Sequence, residues 1–313
     1  MVNLNSSRIL ISGGCSFVGK YLVNYLLRNT NSQLIVCCRT IPEVTLKESR
    51  VVYETADLIR PESYQKVFEK HKPLIVFHLA AITRLSPGEE NPELTVRTNY
   101  FGTKLIADLC VDYKVKSFLS VSSNLARNPK SVVGLLKYLS EVYLRKCGDL
   151  QTKMISIRLP NVPGSPGSVT NIFDKQIEAG GHVTVTDPLM ERRFVTNEEA
   201  SNLLTTAIEI GENSDVFVVP IENTKITNLA AEMISNSGKQ IEIKYIGIKP
   251  SEKLIEEKYE EKEIMKTEIE TLSILKDDWN EESINQALRI LGTKNDVESF
   301  RALVEKIKVS LHD

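Results

Sequence analysis

Histidine and cysteine are scarce in this chain, and neither is spaced for metal chemistry. The four histidines, His71, His78, His182 and His312, stand at no spacing that places two on one ion. The five cysteines, Cys15, Cys37, Cys38, Cys110 and Cys147, include no C-x-x-C pair, and the adjacent Cys37 and Cys38 cannot supply one. A zinc centre is therefore not expected, and so few histidines leave little material for a serine-type triad. The cysteines read as reduced structural thiols. His78, at the end of an apolar run, reads as a core residue.

Long apolar runs are also missing. No stretch of about 18 apolar residues occurs, and the start, MVNLNSSRILISGG, enters a strand without the apolar segment of a signal peptide. A soluble, cytoplasmic protein with no membrane partner is expected. Charge of one sign is not concentrated: 39 basic and 41 acidic residues leave a net charge of -2, with no block that would face nucleic acid or a membrane. The expected partners are small molecules. Internal repeats and low-complexity tracts are absent too.

What the chain of 313 residues does contain is length enough for a large core and a regular alternation of apolar runs with helix-length segments. RILIS (8–12), QLIVCC (33–38), PLIVFHLA (73–80), SFLSVSS (117–123) and KMISIRL (153–159) read as strands, separated by helices at 17–27, 62–71, 93–113 and 131–146. Strands apolar throughout need cover on both faces, which is the property of a parallel sheet. Right-handed crossovers then give an α/β, doubly wound Rossmann-type sheet over residues 1–160. After Pro160, NVPGSPGSV breaks the rhythm, and 161–313 reads as a smaller, interleaved substrate lobe. Within it, the densely charged 251–270 reads as a solvated helix or loop. The spacing of Val297, Phe300, Leu303 and Ile307 predicts a helix over 294–311.

Ser12-Gly13-Gly14-Cys15-Ser16-Phe17-Val18-Gly19 lies between the first strand and the first helix. Glycine there lets backbone approach a pyrophosphate, and the helix N-terminus offers free N–H groups and a positive dipole. Gly13 and Gly19 fit the first and third positions of a G-x-x-G-x-x-G loop, with Ser16 in the middle one and Phe17 and Val18 completing it. A free ribose usually meets a carboxylate at the end of the second strand, whereas a 2′-phosphate prefers arginine. Here that strand runs into Arg39, which favours NADP and still allows NAD. Asp57, with Leu58 beside it, falls where the third strand ends, as an adenine contact or a cap on the next helix. Ala80, closing the fourth strand, is a further candidate contact.

Six segments together resemble a known family: SGGCSFVG (12–19), HLAAITRLSPGEENPELTVRTNYFGT (78–103), VSSNLARNPKSVVGLLKYLSE (121–141), RLPNVPGSPGSV (158–169), FDKQIEAGGHVTVTDPLMERRFVTNEEA (173–200) and IGIKPSEKLIEE (246–257). They are similar to the inverting UDP-N-acetylglucosamine 4,6-dehydratases of polysaccharide biosynthesis, within the extended short-chain dehydrogenase/reductases. The resemblance implies a UDP-sugar between the lobes, met by Asn161, Lys175, Gln176 and Arg192. Arg192 offers the bidentate grip that a diphosphate calls for, or is a surface arginine beside Arg193. Asn161, after Pro160, reads equally as a turn residue.

The resemblance also implies a reaction: oxidation at sugar C4 by the nicotinamide, loss of the C6 hydroxyl, and return of the hydride to C6, with at least two titratable groups at work. The wider superfamily places a Tyr-x-x-x-Lys pair on one helix face. This chain has Val133 and Lys137 there, with Tyr138 turned about a hundred degrees away. The Thr-Asp-Lys triplet of the inverting dehydratases corresponds to Ser123, Asn124 and Leu125. Ser123 can still hydrogen-bond a sugar hydroxyl, but an amide and a leucine do not titrate. Lys137 is the recognisable catalytic residue and a ribose ligand. Replacements for the rest could come from Arg84, which also joins the candidate substrate contacts, from Lys130, or from a carboxylate of the second lobe. Three functions remain open: a UDP-N-acetylhexosamine 4,6-dehydratase/5-epimerase, a nucleotide-sugar 4-epimerase or reductase, and a catalytically silent cofactor- or sugar-binding homologue. A homo-oligomer built through the helices at 93–113 and 131–146 is compatible with the pattern, and so is a monomer.

Overall fold

The structure is a computed structural model and describes residues 3–147, 151–249 and 251–276. Its first half follows the alternation of the sequence: β1 (Arg8–Ser12), α1 (Phe17–Asn29), β2 (Gln33–Cys38), β3 (Val51–Thr55), α2 (Pro61–His71), β4 (Ile75–His78). After α3 (Leu85–Glu90), the helix expected over 93–113 is built in pieces: α4 (Pro92–Val96), a π turn over Arg97–Phe101, and α5 (Gly102–Asp112). The buried Asn99 accounts for the break. Its side chain accepts from the Ile82 amide at 2.7 Å and donates to the Ile82 carbonyl at 2.8 Å. Its own carbonyl accepts from the Thr103 and Ser140 hydroxyls at 2.6 and 3.2 Å. A carbonyl drawn off to hydroxyls loosens the helical ladder at that turn.

β5 (Ser117–Ser123), α6 (Val132–Cys147) and β6 (Lys153–Leu159) complete the run. The nine-stranded sheet has the order β12-β13-β9-β6-β5-β4-β1-β2-β3, where β9 is Val216–Val218, β12 is Ile264–Lys266 and β13 is Ser273–Leu275. From β3 to β9 every pairing is parallel, and β13 and β12 add antiparallel strands at one edge. The alternation of side chains along each strand builds two cores. Ile9 and Ile11 point to the face covered by α1 and by α8 (Asn197–Ile210), through Leu22, Leu26, Leu204 and Ile208. Leu10 points to the opposite face, with Phe68 of α2 and Ile106 of α5.

Between these elements, α7 (Val169–Glu178), β7 (Val183–Val185), β8 (Glu191–Arg192), β10 (Thr224–Lys225), α9 (Ile226–Asn236) and β11 (Ile243–Tyr245) enclose a separate small core. Phe173, Val183, Val185 and Ile226 are its centre. The helix expected over 294–311 lies outside the described residues.

The charged segment 251–270 departs from expectation. It forms turns and β12 with no helix, and it is not simply solvated: Lys253 and Glu256 are buried at 5% and 6% exposure. A buried ion pair explains its anchorage. Arg158 of β6 grips Glu141 of α6 with two bonds, Nη2 to Oε2 at 2.7 Å and Nε to Oε1 at 3.0 Å. The Ser122 hydroxyl donates to the same carboxylate, and Arg158 Nη1 donates to the Tyr259 hydroxyl at 3.1 Å. Removing one partner of such a pair strands the other charge in a dry interior. Glu141→Ala is therefore expected to lower unfolding free energy by about 3–5 kcal/mol, read as a shift of the urea midpoint at unchanged slope.

Candidate active site

The chain leaves β3 at one edge and returns as β4 on the other side of β1, so a crevice opens beyond the ends of β1 and β4. The glycine loop fills its floor. Gly13 has φ +70°, and a Cβ there would stand 2.7 Å from the Ala80 amide nitrogen, so the loop passes against the end of β4 with no room for a side chain. A Cβ at Gly19 would lie 2.4 Å from the Gly13 carbonyl oxygen, which requires glycine at the first turn of α1. Ser16 caps that helix, its hydroxyl accepting from the Gly19 amide at 3.2 Å. The amides of Phe17 and Val18 remain at the open helix end, where no acidic residue offsets the dipole. These features fit a dinucleotide pyrophosphate.

Around this loop the sequence candidates fall as follows. Arg39 is exposed directly after β2, with no carboxylate at the strand's end. Asp57 shapes the turn beyond β3, its Oδ1 accepting from the Ile59 amide at 3.2 Å, and does not cap α2, whose N-cap is Arg60. Leu58 is buried and packs on Gly102. Phe17 reaches toward Gly164, whose Cβ would lie 3.3 Å from the ring, so the glycine loop touches the loop after β6. His78 lies in the core, Nδ1 2.6 Å from the Ser12 hydroxyl and Nε2 3.1 Å from that of Thr103, and burial first, then Lys137, lowers its pKa to about 3. One expectation fails here. Cys15 of the loop and Cys38 of β2 are joined as a disulfide, their Cα atoms 5.8 Å apart, while Cys37, Cys110 and Cys147 are free thiols. The sequence gives no C-x-x-C signal for this pair because the fold, not the spacing, brings the loop to the strand end.

The second half of the site lies at the ends of β5 and β6. Lys137 of α6 is buried and donates to the Val121 carbonyl at 2.6 Å. Desolvation lowers its pKa to about 8 against the opposing pull of Glu141. Where a tyrosine is expected on that helix, Val133 packs on Gly88 of α3, whose Cβ would meet it at 2.6 Å. Tyr138 packs with the Val96, Tyr100 and Leu136 cluster. Ser123 closes β5 and its hydroxyl accepts from the Leu125 amide at 3.3 Å. Asn124 begins a short turn, 7% exposed, with Nδ2 donating to Glu256 Oε2 at 2.9 Å and Oδ1 without a partner.

Glu256, which sequence reasoning left among the solvated charges, is the junction of this half. Its Oε1 accepts from Asn161 Nδ2 at 3.1 Å. Asn161 is held in turn by an isolated bridge to Phe194 and a second Nδ2 bond, 3.0 Å, to the Arg193 carbonyl. Arg192 Nε stands 4.0 Å from Glu256, but its Nη atoms are engaged by the carbonyls of Glu191, Lys253 and Leu254 at 2.7, 2.7 and 3.3 Å. That guanidinium holds the 251–257 segment in place. Arg193, read as a surface neighbour, is 2% exposed and donates to the Glu257 carbonyl at 2.8 Å. Gln176 is spent on β7, donating to the Thr184 hydroxyl at 2.7 Å and accepting from its amide at 2.9 Å. Lys175 is exposed on α7. Arg84 is exposed at the start of α3 and lies over Gly167, where a Cβ would meet its Cδ at 2.5 Å. The structure thus brings Ser123, Asn124, Lys137, Asn161 and Arg192 around the ends of β5 and β6. Lys175 and Gln176 stand apart from that group.

The chain matches the family described as polysaccharide biosynthesis protein over residues 9–277. It is 38% identical over 216 residues to the probable polysaccharide biosynthesis protein EpsC of Bacillus subtilis (strain 168), a match covering 67% of this chain and 36% of that protein. It is 28% identical over 264 residues to a UDP-N-acetylglucosamine 4,6-dehydratase (inverting) of Campylobacter jejuni subsp. jejuni serotype O:23/36 (strain 81-176), covering 80% and 77% of the two chains. Among solved structures, Pen from Bacillus thuringiensis aligns with a TM-score of 0.81 at 28% identity, covering 88% of this chain and 91% of that one. The part matched is only 36% of the length of the Bacillus subtilis relative. No helix among the described residues is long and apolar enough to cross a membrane. With the match running from β1 to β13, the chain belongs to the polysaccharide biosynthesis protein family, on the extended short-chain dehydrogenase/reductase fold.

Proposed function

We propose that this protein binds NADP in the glycine-loop crevice and removes water from a UDP-N-acetylhexosamine held over the ends of β5 and β6. The observation that carries the reading is the burial of two titratable side chains near the ends of β5 and β6, Lys137 on α6 and Glu256, with Asn124 joining the strand end to the carboxylate. The bound nicotinamide would supply the acceptor, and afterwards the donor, of the hydride.

Lys137 is the base for the C4 hydroxyl. A lysine at its ordinary pKa would be a poor base near neutrality, but one brought down to about 8 holds a usable neutral fraction. That removes the need for the tyrosine that Val133 replaces. Glu256 moves the second proton: it takes the C5 proton made acidic by the C4 carbonyl and delivers it to the C6 hydroxyl, which departs as water, and C5 is reprotonated from solvent as the hydride returns to C6. Asn124 Oδ1, buried and unpartnered, accepts from a sugar hydroxyl. Asn161 orients Glu256 from the β6 side, Arg192 fixes the segment that carries it, and Arg84 is an exposed cation available to the diphosphate. The packing of Val133 on Gly88 and the leucine at position 125 favour a second reading, a catalytically silent cofactor- and sugar-binding homologue.

Incubation of purified protein with UDP-N-acetylglucosamine and NADP, followed by mass spectrometry of the sugar, separates the readings. Loss of one water supports the dehydratase, C4 inversion with the C6 hydroxyl retained marks an epimerase, and unchanged sugar beside bound cofactor marks the silent homologue. Turnover is expected to rise with pH up to about 8 and then level off, because below that value Lys137 is protonated and cannot accept a proton. Glu256→Gln should lower kcat by about 10²–10⁴-fold with a much smaller change in KM. Arg39→Ala should weaken NADP binding by about tenfold and leave NAD binding nearly unchanged, measured by calorimetric titration.

A further inference from the structure

The glycine loop and the end of β2 face each other across the place where the adenosine ribose of a dinucleotide lies. Each contributes a cysteine there, Cys15 packed against the core beside β1 and Cys38 buried at 8% exposure. Cys15 sits between Gly14 and Ser16, and Cys38 is the last residue of β2, directly before Arg39. The backbone holds the two sides close independently of the sulfurs. The Gly14 amide donates to the Cys37 carbonyl at 3.2 Å, and a Cβ on Gly14 would stand 2.7 Å from Val36 Cγ1. The Cα separation of 5.8 Å lies within the range that a disulfide spans without backbone movement.

We propose that Cys15 and Cys38 form a reversible thiol–disulfide modification site that gates the cofactor pocket at its 2′-phosphate end. The inference rests on the reading of the glycine loop as a dinucleotide site, and on no part of the sugar chemistry. In the reduced form the two thiols are free to take separate rotamers, and the gap beside Arg39 admits the 2′-phosphate. In the oxidised form the sulfurs bridge the gap and hold the Cys15 side chain against β2, so the space beside the ribose is filled. The exchange is balanced with a small disulfide such as oxidised glutathione. Cys15 and Cys38 together lose two protons and two electrons as their S–S bond forms, and the oxidant's S–S bond breaks to give two thiols.

The other cysteines do not compete. Cys37 and Cys110 are fully buried and their thiols are pushed up, in both cases first by burial, then by Glu54 for Cys37 and by Cys147 for Cys110, which suppresses the reactive thiolate. Cys147 is partly exposed at the end of α6, far along the chain from the glycine loop, and serves as the control.

The test compares full-length protein reduced with dithiothreitol and the same protein oxidised with glutathione disulfide, each titrated with NADP and with NAD. Peptide mapping after alkylation follows the thiols. Oxidation should link the Cys15 and Cys38 peptides and weaken NADP binding by about tenfold or more, NAD by less. Cys15→Ser and Cys38→Ser should each abolish the difference between the two conditions, whereas Cys147→Ser should keep it. Equal NADP affinity in the two states, or an oxidised protein without the Cys15–Cys38 peptide, overturns the gate while leaving the cofactor site standing. A reduced protein that binds neither nucleotide sinks the cofactor reading and the gate with it.

Discussion

Glu141 receives Arg158 from β6 and Ser122 from β5, and it sits one helical turn beyond Lys137 on α6. Because residues four apart on a helix share a face, whatever fixes Glu141 also fixes Lys137 against β5. The same arginine reaches Tyr259 on the segment that carries Glu256. One buried carboxylate thus ties together the helix, the two strands and the second-lobe segment that form the far half of the site. Such a junction is costly to desolvate, and a hydrophobic cluster of equal volume could be more stable. What the ion pair adds is direction: each bond has one geometry, and the four elements are held in register by it.

The near half of the site depends on close backbone approach instead. Gly13 against Ala80 and Gly19 against the Gly13 carbonyl leave no space for side chains, so the loop takes one path from β1 into α1. That path aims the open helix end into the crevice made by the reversal of strand order. Phe17, meeting Gly164, carries the geometry across to the loop after β6. The two halves are therefore set by different physics, steric exclusion on one side and paired charge on the other, and they meet at that contact.

The parallel sheet and the glycine loop were legible because they rest on local signals: period, apolar strands and a turn that requires glycine. The break at Asn99 was not, since it arises from tertiary hydrogen bonds to Ile82 and Ser140 that no spacing records. Glu256 and Arg193 were missed for a related reason. In SEKLIEEKYEEKEI one buried glutamate stands among others that are exposed or only partly buried, and composition cannot tell which carboxylate meets Asn124 and Asn161. Arg192 was legible as an important guanidinium, but its bonds to carbonyls of residues 253 and 254 show it engaged with protein rather than offered whole to a diphosphate.

The amide at position 124 becomes intelligible once Glu256 is in place. Glu256 already accepts from Asn124 and Asn161, both through N–H groups, inside a pocket where it is 6% exposed. An aspartate at 124 would set a second carboxylate about 3 Å from the first, and two such groups cannot both ionise there. One would have to hold a proton or turn away. With asparagine the hydrogen bond is made in one sense only, because a carboxylate can only accept from Nδ2, and Oδ1 is left buried without a partner. Asparagine at 124 therefore satisfies a carboxylate already buried beside the strand end without adding a second charge to it.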